Sequence, residues 1–419
     1  MDDTSTEPRC PRLRGLRVCD LSGQLAGAGS TRVLAAFGAE VIRVEDPVRQ
    51  GRWDVTRGIA PFTDERRGIE LGGAFNQFNV GKRGVTVNLR DERGKELLRR
   101  LIAVSDVVTE NFAAGVMERL GFTYDTMREI RPDIVYVSNC GFGHDSPYSG
   151  FRTWGPIVQA VSGLSFLSGI AGMPPAGMGL SYMDHQGANF MTVALMAALI
   201  HRQRTGEGQW VDMACVDAGL SLTGPGLLDY TVNGRRARTD TVVDSNHSSA
   251  PAMAPHNVYP AAGEDAWVSI ACRDDRDWRA MADVLDAQWP REDCYATTAG
   301  RLGAQDELDG RISAWTATLD RFDAAARLQA AGVPAAAVLT AEDRIEHDRG
   351  TLDWGLFPTV THPAIGSVRV DGLPLHLDED DWCIERAAPT LGQDNDYVFR
   401  DLLGLTEDEL AAHREDGVI

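Results

Sequence analysis

The chain has 419 residues, with 41 basic and 61 acidic side chains and a formal net charge of −20. That length allows two or three domains and a core that needs no staples. The acidic excess argues against a general nucleic-acid binder, which needs a net basic face.

The opening MDDTSTEPRCPR has no apolar stretch behind a basic start, and the longest apolar run, Phe190 to Ile200, is about half the ~20 residues of a membrane span. The expectation is a soluble, cytoplasmic protein with no nucleic-acid or membrane partner. LRVCDL (16–21) reads as a strand, and small residues then lead into a helix ending at FGAE (37–40). VIRVE (41–45) is a second strand, followed by a loop rich in Arg, Gly and Asp (46–73). GVTVNL (84–89), a helix over 91–105 and DVVTE (106–110) come next; Leu97, Leu98, Leu101 and Ile102 recur at helical spacing. After two short helices, IVYVSN (134–139) is a further strand. Strands alternating with helices over this distance predict an α/β, Rossmann-like parallel sheet.

A strongly apolar helix is expected over about 188–203, followed by a strand leading into a helix at 209–222. The segment 232–255 turns polar and rich in Gly, Ser and Pro, the composition of a linker or active-site loop. A second unit starts near HNVYPAAGEDAWVSIAC (256–272), where a hairpin-like pair flanks Gly263, and continues through helices to about 340. The tail holds GSVRVDGLP and the helical TEDELAAHRED. Seven cysteines (Cys10, Cys19, Cys140, Cys215, Cys272, Cys294, Cys383) lack any CxxC pair or regular spacing, so they read as reduced thiols with no metal site.

Three stretches carry possible chemistry. GQLAGAGSTR (23–32) suggests a dinucleotide loop, but Arg32 stands where the third glycine belongs, so tight strand-to-helix packing is the better reading. Arg43, Lys82 and Arg83 fall at strand or loop edges, expected near the carboxyl ends of the sheet, where α/β folds bind ligands. They would suit a phosphorylated ligand or form a solvated basic loop. Asp184 lies just before the apolar helix, between Tyr182 and His185 in sequence neighbourhood, and reads as a helix cap or as a catalytic carboxylate.

Taken in order, LRVCDLSGQLAG, LAAFGAEVIRVEDP, NVGKRGVTVNLR, SDVVTENFAAGVMERLG, IVYVSNCGFGHDSPY, LSYMD with its apolar helix, RTGEGQWVDMACVDA, APHNVYPAAGEDAWVSIAC and DLLGLTEDELAAHREDGVI form a pattern. By these strings the chain resembles the class III CoA-transferases, the CaiB–BaiF family, over nearly its whole length. The resemblance implies an interlocked homodimer. Each chain would have a large CoA-binding domain (12–225 with 350–419), a linker and active-site loop (226–255), a smaller α+β domain (256–340) and a return linker (341–349).

The resemblance also makes Asp184 the catalytic nucleophile. It places CoA contacts at Arg43, Lys82, Arg83, Asn111, Phe112, Met117, Arg119, Gly141, Phe142 and Gly143; Phe112 and Met117 also read as plain core residues. CoA and acyl-CoA would be substrates, beside a carboxylic acid, with no permanently bound cofactor. Two departures narrow the function. Trp154 occupies the position where related acyl-CoA racemases carry a catalytic His, and an indole cannot act as general base. DSNHSSAPAMAPH (244–256) replaces the four-glycine loop of formyl-CoA:oxalate transferases. TWGP and the Met/Phe content of 151–183 resemble transferases acting on larger hydrophobic or aromatic acids, with succinyl-CoA a common donor. An acyl-CoA racemase or isomerase, and a non-catalytic CoA-binding homologue, remain the alternatives.

Overall fold

The computed structural model describes residues 12–63, 66–170, 173–235, 245–249 and 251–419. Cys10 and residues 236–244 of the polar stretch lie outside them. The chain divides into two units, one within Met1–Phe166, Gly177–Arg235 and Asp353–Ile419, the other within Leu167–Ala176 and Arg236–Leu352.

The first unit is built on six parallel strands: β1 (Arg17–Asp20), β2 (Glu40–Glu45), β3 (Arg83–Thr86), β4 (Val107–Glu110), β5 (Val135–Cys140) and β6 (Trp210–Ala214). Their spatial order is β3-β2-β1-β4-β5-β6. This is a doubly wound sheet, and its strand order reverses between β1 and β4, so a crevice opens at the carboxyl ends of those two strands. Both faces of the sheet are covered, and side chains alternate between them. Cys19, Leu21, Ile42, Val44, Val85, Val108 and Tyr136 pack on one face with the helix Glu92–Ala103. Val18, Val41, Val107, Val135 and Val137 pack on the other with Met191, Leu195 and Ala198. Those three belong to the helix Tyr182–Thr205.

An exposed edge strand is a liability unless its backbone groups are met. Here the C-terminal segment meets them. Gly84 N–H donates to Asp394 Oδ2 (2.8 Å), Thr86 N–H to Asn395 Oδ1 (2.9 Å) and Asn88 N–H to the Val418 carbonyl (2.8 Å). Val398, Phe399, Leu410 and Val418 complete the core on that side.

The second unit has an antiparallel three-stranded sheet in which Trp267–Ala271 lies between His256–Pro260 and Ala335–Ala337. The hairpin around Gly263 is as the sequence predicts. Helices Asp275–Leu285, Gln305–Thr316 and Arg321–Ala330 bury Trp278, Met281, Leu308, Ile312 and Leu328 against it. Residues read as the start of a linker at 226 instead continue a helix, Gly224–Asn233, which ends on Gly234 in a left-handed cap at φ 67°. No helix among the described residues is long and apolar enough to cross a membrane.

Candidate active site

The long helix begins at Tyr182, with Ser181 as its cap residue, six residues before the apolar pattern starts. Its buried stripe, Met183, Gly187, Ala188, Met191, Leu195 and Ala198, keeps helical spacing through the polar stretch. Gly187 is needed there, because a Cβ would lie 2.7 Å from Cys215 Sγ. Asp184 therefore sits in the first helical turn rather than at the cap. His185, one residue on, points elsewhere: its ring packs edge-on against Phe78 at 5.8 Å and it does not orient Asp184.

Asp184 opens into a cavity of about 300 Å³ at the switch point of the sheet. The loop after β1 contributes Gln24 and Ala26, the loop after β4 Asn111 and Phe112, and the segment after β5 Cys140, Gly141 and residues 149–155. Cys215, at the start of the helix after β6, closes one side. Asn111 ties two of these loops together, accepting from Gly23 N–H (2.7 Å) and donating to the Gly23 carbonyl (2.9 Å). Phe112 packs on Trp53 at 5.2 Å.

Asp184 is half-buried and has no ion-pair partner among the described residues. Burial raises its carboxyl above the usual range, and a hydrogen bond from the Ser181 side chain offsets part of that. The neighbouring thiols are neutral. Burial, with the Asp184 charge adding to it, pushes Cys215 up to about 12, while burial and Asp212 push Cys140 up to about 11. Among the described residues lining the cavity, Asp184 is the one carboxylate, and there is no histidine. Gly155 lets the backbone lie directly against the Asp184 carboxylate, and Gly141 does the same for Thr153, which a Cβ would meet at 2.2 Å.

The structure brings Asp184, Asn111, Phe112 and Gly141 to one cavity; the other expected contacts lie elsewhere. Phe142 is half-buried against Tyr148 and Phe151, and Gly143 holds its turn at φ +75°. Met117 is buried in the main core, and Arg119 is exposed with its guanidinium over Gly115. Arg43 and Lys82 are fully buried in internal ion pairs, Arg43 with Asp54 at 2.6 Å and Lys82 with Asp20 at 3.1 Å. Lys82 Nζ also donates to the Ala28 carbonyl and to Asn79 Oδ1, both at 3.0 Å. Burial pulls Lys82 down to about 8 against the pull of Asp20. Arg83 opens β3 and reaches back to Glu40 and Asp394, stacked over Tyr397 at 3.9 Å. The expectation that these three basic side chains gather at the ligand is revised accordingly: acidic neighbours inside the fold take up their charges.

Behind the turn at Gly141–Gly143, His144 Nδ1 lies 3.1 Å from Asp212 Oδ1 and 3.8 Å from Cys140 Sγ. Asp212 Oδ2 accepts from the His144 N–H at 2.8 Å. The sequence showed these residues only as separate letters. Their convergence needs the β5–β6 pairing of Ser138 with Asp212.

The doubly wound sheet thus opens a ligand crevice at its switch point, and Asp184 lines it as a half-buried carboxylate. Residues 13–395 match the family described as CoA-transferase family III, and the chain belongs to that family. It is 31% identical to a succinyl-CoA–D-citramalate CoA-transferase of Chloroflexus aurantiacus, over 98% of this chain and 99% of that one. It is also 31% identical to a formyl-CoA:oxalate CoA-transferase of Streptomyces coelicolor, over 97% and 99%. Among solved structures, a CaiB/BaiF family protein from Brucella suis superposes with a TM-score of 0.82 at 28% identity, covering 94% of this chain and all of that one. The protein is a CoA-transferase, and CoA thioesters are its substrates.

Proposed function

We propose that Asp184 carries CoA between two carboxylic acids by covalent catalysis. The observation behind this reading is the unpaired, half-buried carboxylate facing a cavity whose other nucleophiles are protonated. An Asp184 oxygen attacks the thioester carbonyl of the donor, releasing CoA thiolate and leaving a mixed anhydride. The thiolate then attacks the Asp184 carbonyl, giving an aspartyl-CoA thioester and the free donor acid. The acceptor carboxylate attacks that thioester and expels CoA thiolate, and the thiolate takes the acceptor acyl group from the second anhydride, which regenerates Asp184. One thioester is exchanged for another, so no nucleotide, metal or permanently bound cofactor enters the cycle. Backbone N–H groups of the glycine-bearing loops at 141 and 155, which line the cavity, would stabilise the oxyanions.

In this reading Asn111, Phe112 and the turn at Gly141, Phe142 and Gly143 guide the pantetheine arm. Trp53, Phe112, Phe151, Trp154 and Val158 give the cavity an apolar side, which supports a larger hydrophobic or aromatic acceptor; succinyl-CoA is the proposed donor. The absence of histidine among the described lining residues weighs against racemase chemistry, which needs a base at the α-carbon. We also propose the interlocked homodimer. The helices Tyr182–Thr205 and Gly224–Asn233 leave Phe190, Val193, Leu228, Tyr230 and Val232 exposed, a surface that a second copy would cover.

The test is to incubate the protein with acyl-CoAs, trap with hydroxylamine and weigh the peptides. A hydroxamate at Asp184, missing from Asp184→Ala, is the expected result. CoA binding with no adduct on any acyl-CoA would leave the acyl-CoA racemase or the non-catalytic homologue.

A further inference from the structure

The cavity holds one unspent charge besides Asp184. Of the described residues that line it, Arg152 is the only cationic one. It is exposed and has no hydrogen-bond or ion-pair partner among the described residues. This sets it apart from Arg43, Arg57 and Lys82, which are buried on Asp54, Glu45 and Asp20. Arg152 stands three residues before Gly155, the residue against the Asp184 carboxylate. Its sequence neighbours Phe151 and Trp154 line the same cavity and are 62% and 55% exposed.

We propose that Arg152 is the specificity residue for acyl groups bearing a second carboxylate, binding the distal anion while the thioester carbonyl meets Asp184. A guanidinium fork matches a carboxylate in two parallel hydrogen bonds. The substrate class is then the CoA esters of dicarboxylic acids, on the donor side. This rests on the reading of Asp184 as the nucleophile. The distal carboxylate takes no part in bond making; it fixes the acyl chain so that the carbonyl carbon lies over the nucleophile. The other anion within reach of an arginine is a CoA phosphate, but the full pantetheine arm separates the phosphates from the thioester, whereas Arg152 and Asp184 line one cavity of about 300 Å³.

The experiment compares two thioesters of equal chain length, succinyl-CoA and butyryl-CoA, as donors to the wild type, Arg152→Gln and Arg152→Lys, with the affinity for free CoA measured alongside. The proposal expects the succinyl-to-butyryl ratio of kcat/KM to fall about 10- to 100-fold in Arg152→Gln, chiefly through KM, the loss typical of one charged hydrogen-bonding partner. Arg152→Lys should recover part of the ratio. An equal loss on both donors with an unchanged ratio overturns the proposal, and equally weaker binding of free CoA in that case assigns Arg152 to a phosphate instead. A wild type that transfers CoA and traps at Asp184 yet shows no ratio change on substitution sinks only this inference. A wild type with no adduct on any acyl-CoA sinks the nucleophile reading together with it.

Discussion

A Cβ placed on Gly155 would lie 2.9 Å from Asp184 Oδ2 and 3.1 Å from both Cγ and Oδ1. The close approach is to a short side chain that can swing aside, so the fold can absorb a methyl group there at small cost. The proposed chemistry cannot, because attack on a thioester carbonyl tolerates little displacement of the nucleophile. Gly155→Ala is therefore expected to change stability by less than about 1 kcal/mol while lowering kcat/KM on the order of 100-fold. Thermal melting beside steady-state transfer kinetics checks the pair. A variant that loses both together would make Gly155 a folding residue.

Lys82 gives the opposite pattern. It is sealed in with Asp20, which also accepts from the hydroxyls of Ser22, Thr31 and Thr109. Burial alone would raise the Asp20 carboxyl; Lys82, Arg43 and the Ser22 and Thr31 hydroxyls reverse it to below the usual range. Removing the lysine strands a buried carboxylate, so Lys82→Met should cost about 3–5 kcal/mol in urea unfolding. The loss should be the same with CoA present or absent. A phosphate contact would instead show as weaker CoA binding in a protein of normal stability.

Glu110 supplies a pH signature. It ends β4 with 1% exposure, takes the Phe112 N–H at 2.7 Å and meets the Tyr136 hydroxyl at 3.1 Å. Burial raises it to about 8, with Glu118 and Asp212 adding to the shift. A carboxyl whose folded pKa lies above its unfolded value stabilises the fold fully below the unfolded value, and that contribution is lost as pH rises toward 8. Glu110→Gln, which stays neutral, should be more stable than the wild type at pH 8 by about 1–3 kcal/mol. The gap should close toward pH 4. Melting curves across that range decide it, and a gap independent of pH would remove the ionisation account.

Hydrophobic runs and turn residues made the sheet readable from sequence. β1, β2, β4 and β5 fall within a residue or two of where alternation placed them. The start of the long helix was not readable, since YMDHQGAN carries too few apolar residues to show a stripe, and Met183 and Gly187 face the core only once Cys215 is placed. The basic residues misled for a related reason. Sequence shows their charge but not the buried Asp20, Asp54 and Glu45 that claim it. Arg152 was passed over because its meaning lies in the partners it lacks.

Asp184 itself should be destabilising. Burial raises its pKa, so the fold favours the neutral form; its contribution is present below the unfolded pKa and lost as pH rises through the folded one. Ionising the group is therefore a cost to the fold, which the proposed nucleophilic role would explain. Asp184→Asn should melt higher than the wild type at pH 7, with the difference shrinking toward pH 3, and should form no adduct. A carboxylate serving only the first turn of its helix predicts the reverse, a loss of about 0.3–1 kcal/mol when its charge is removed. The sign of the melting shift at pH 7 thus separates a residue held for chemistry from one held for the helix.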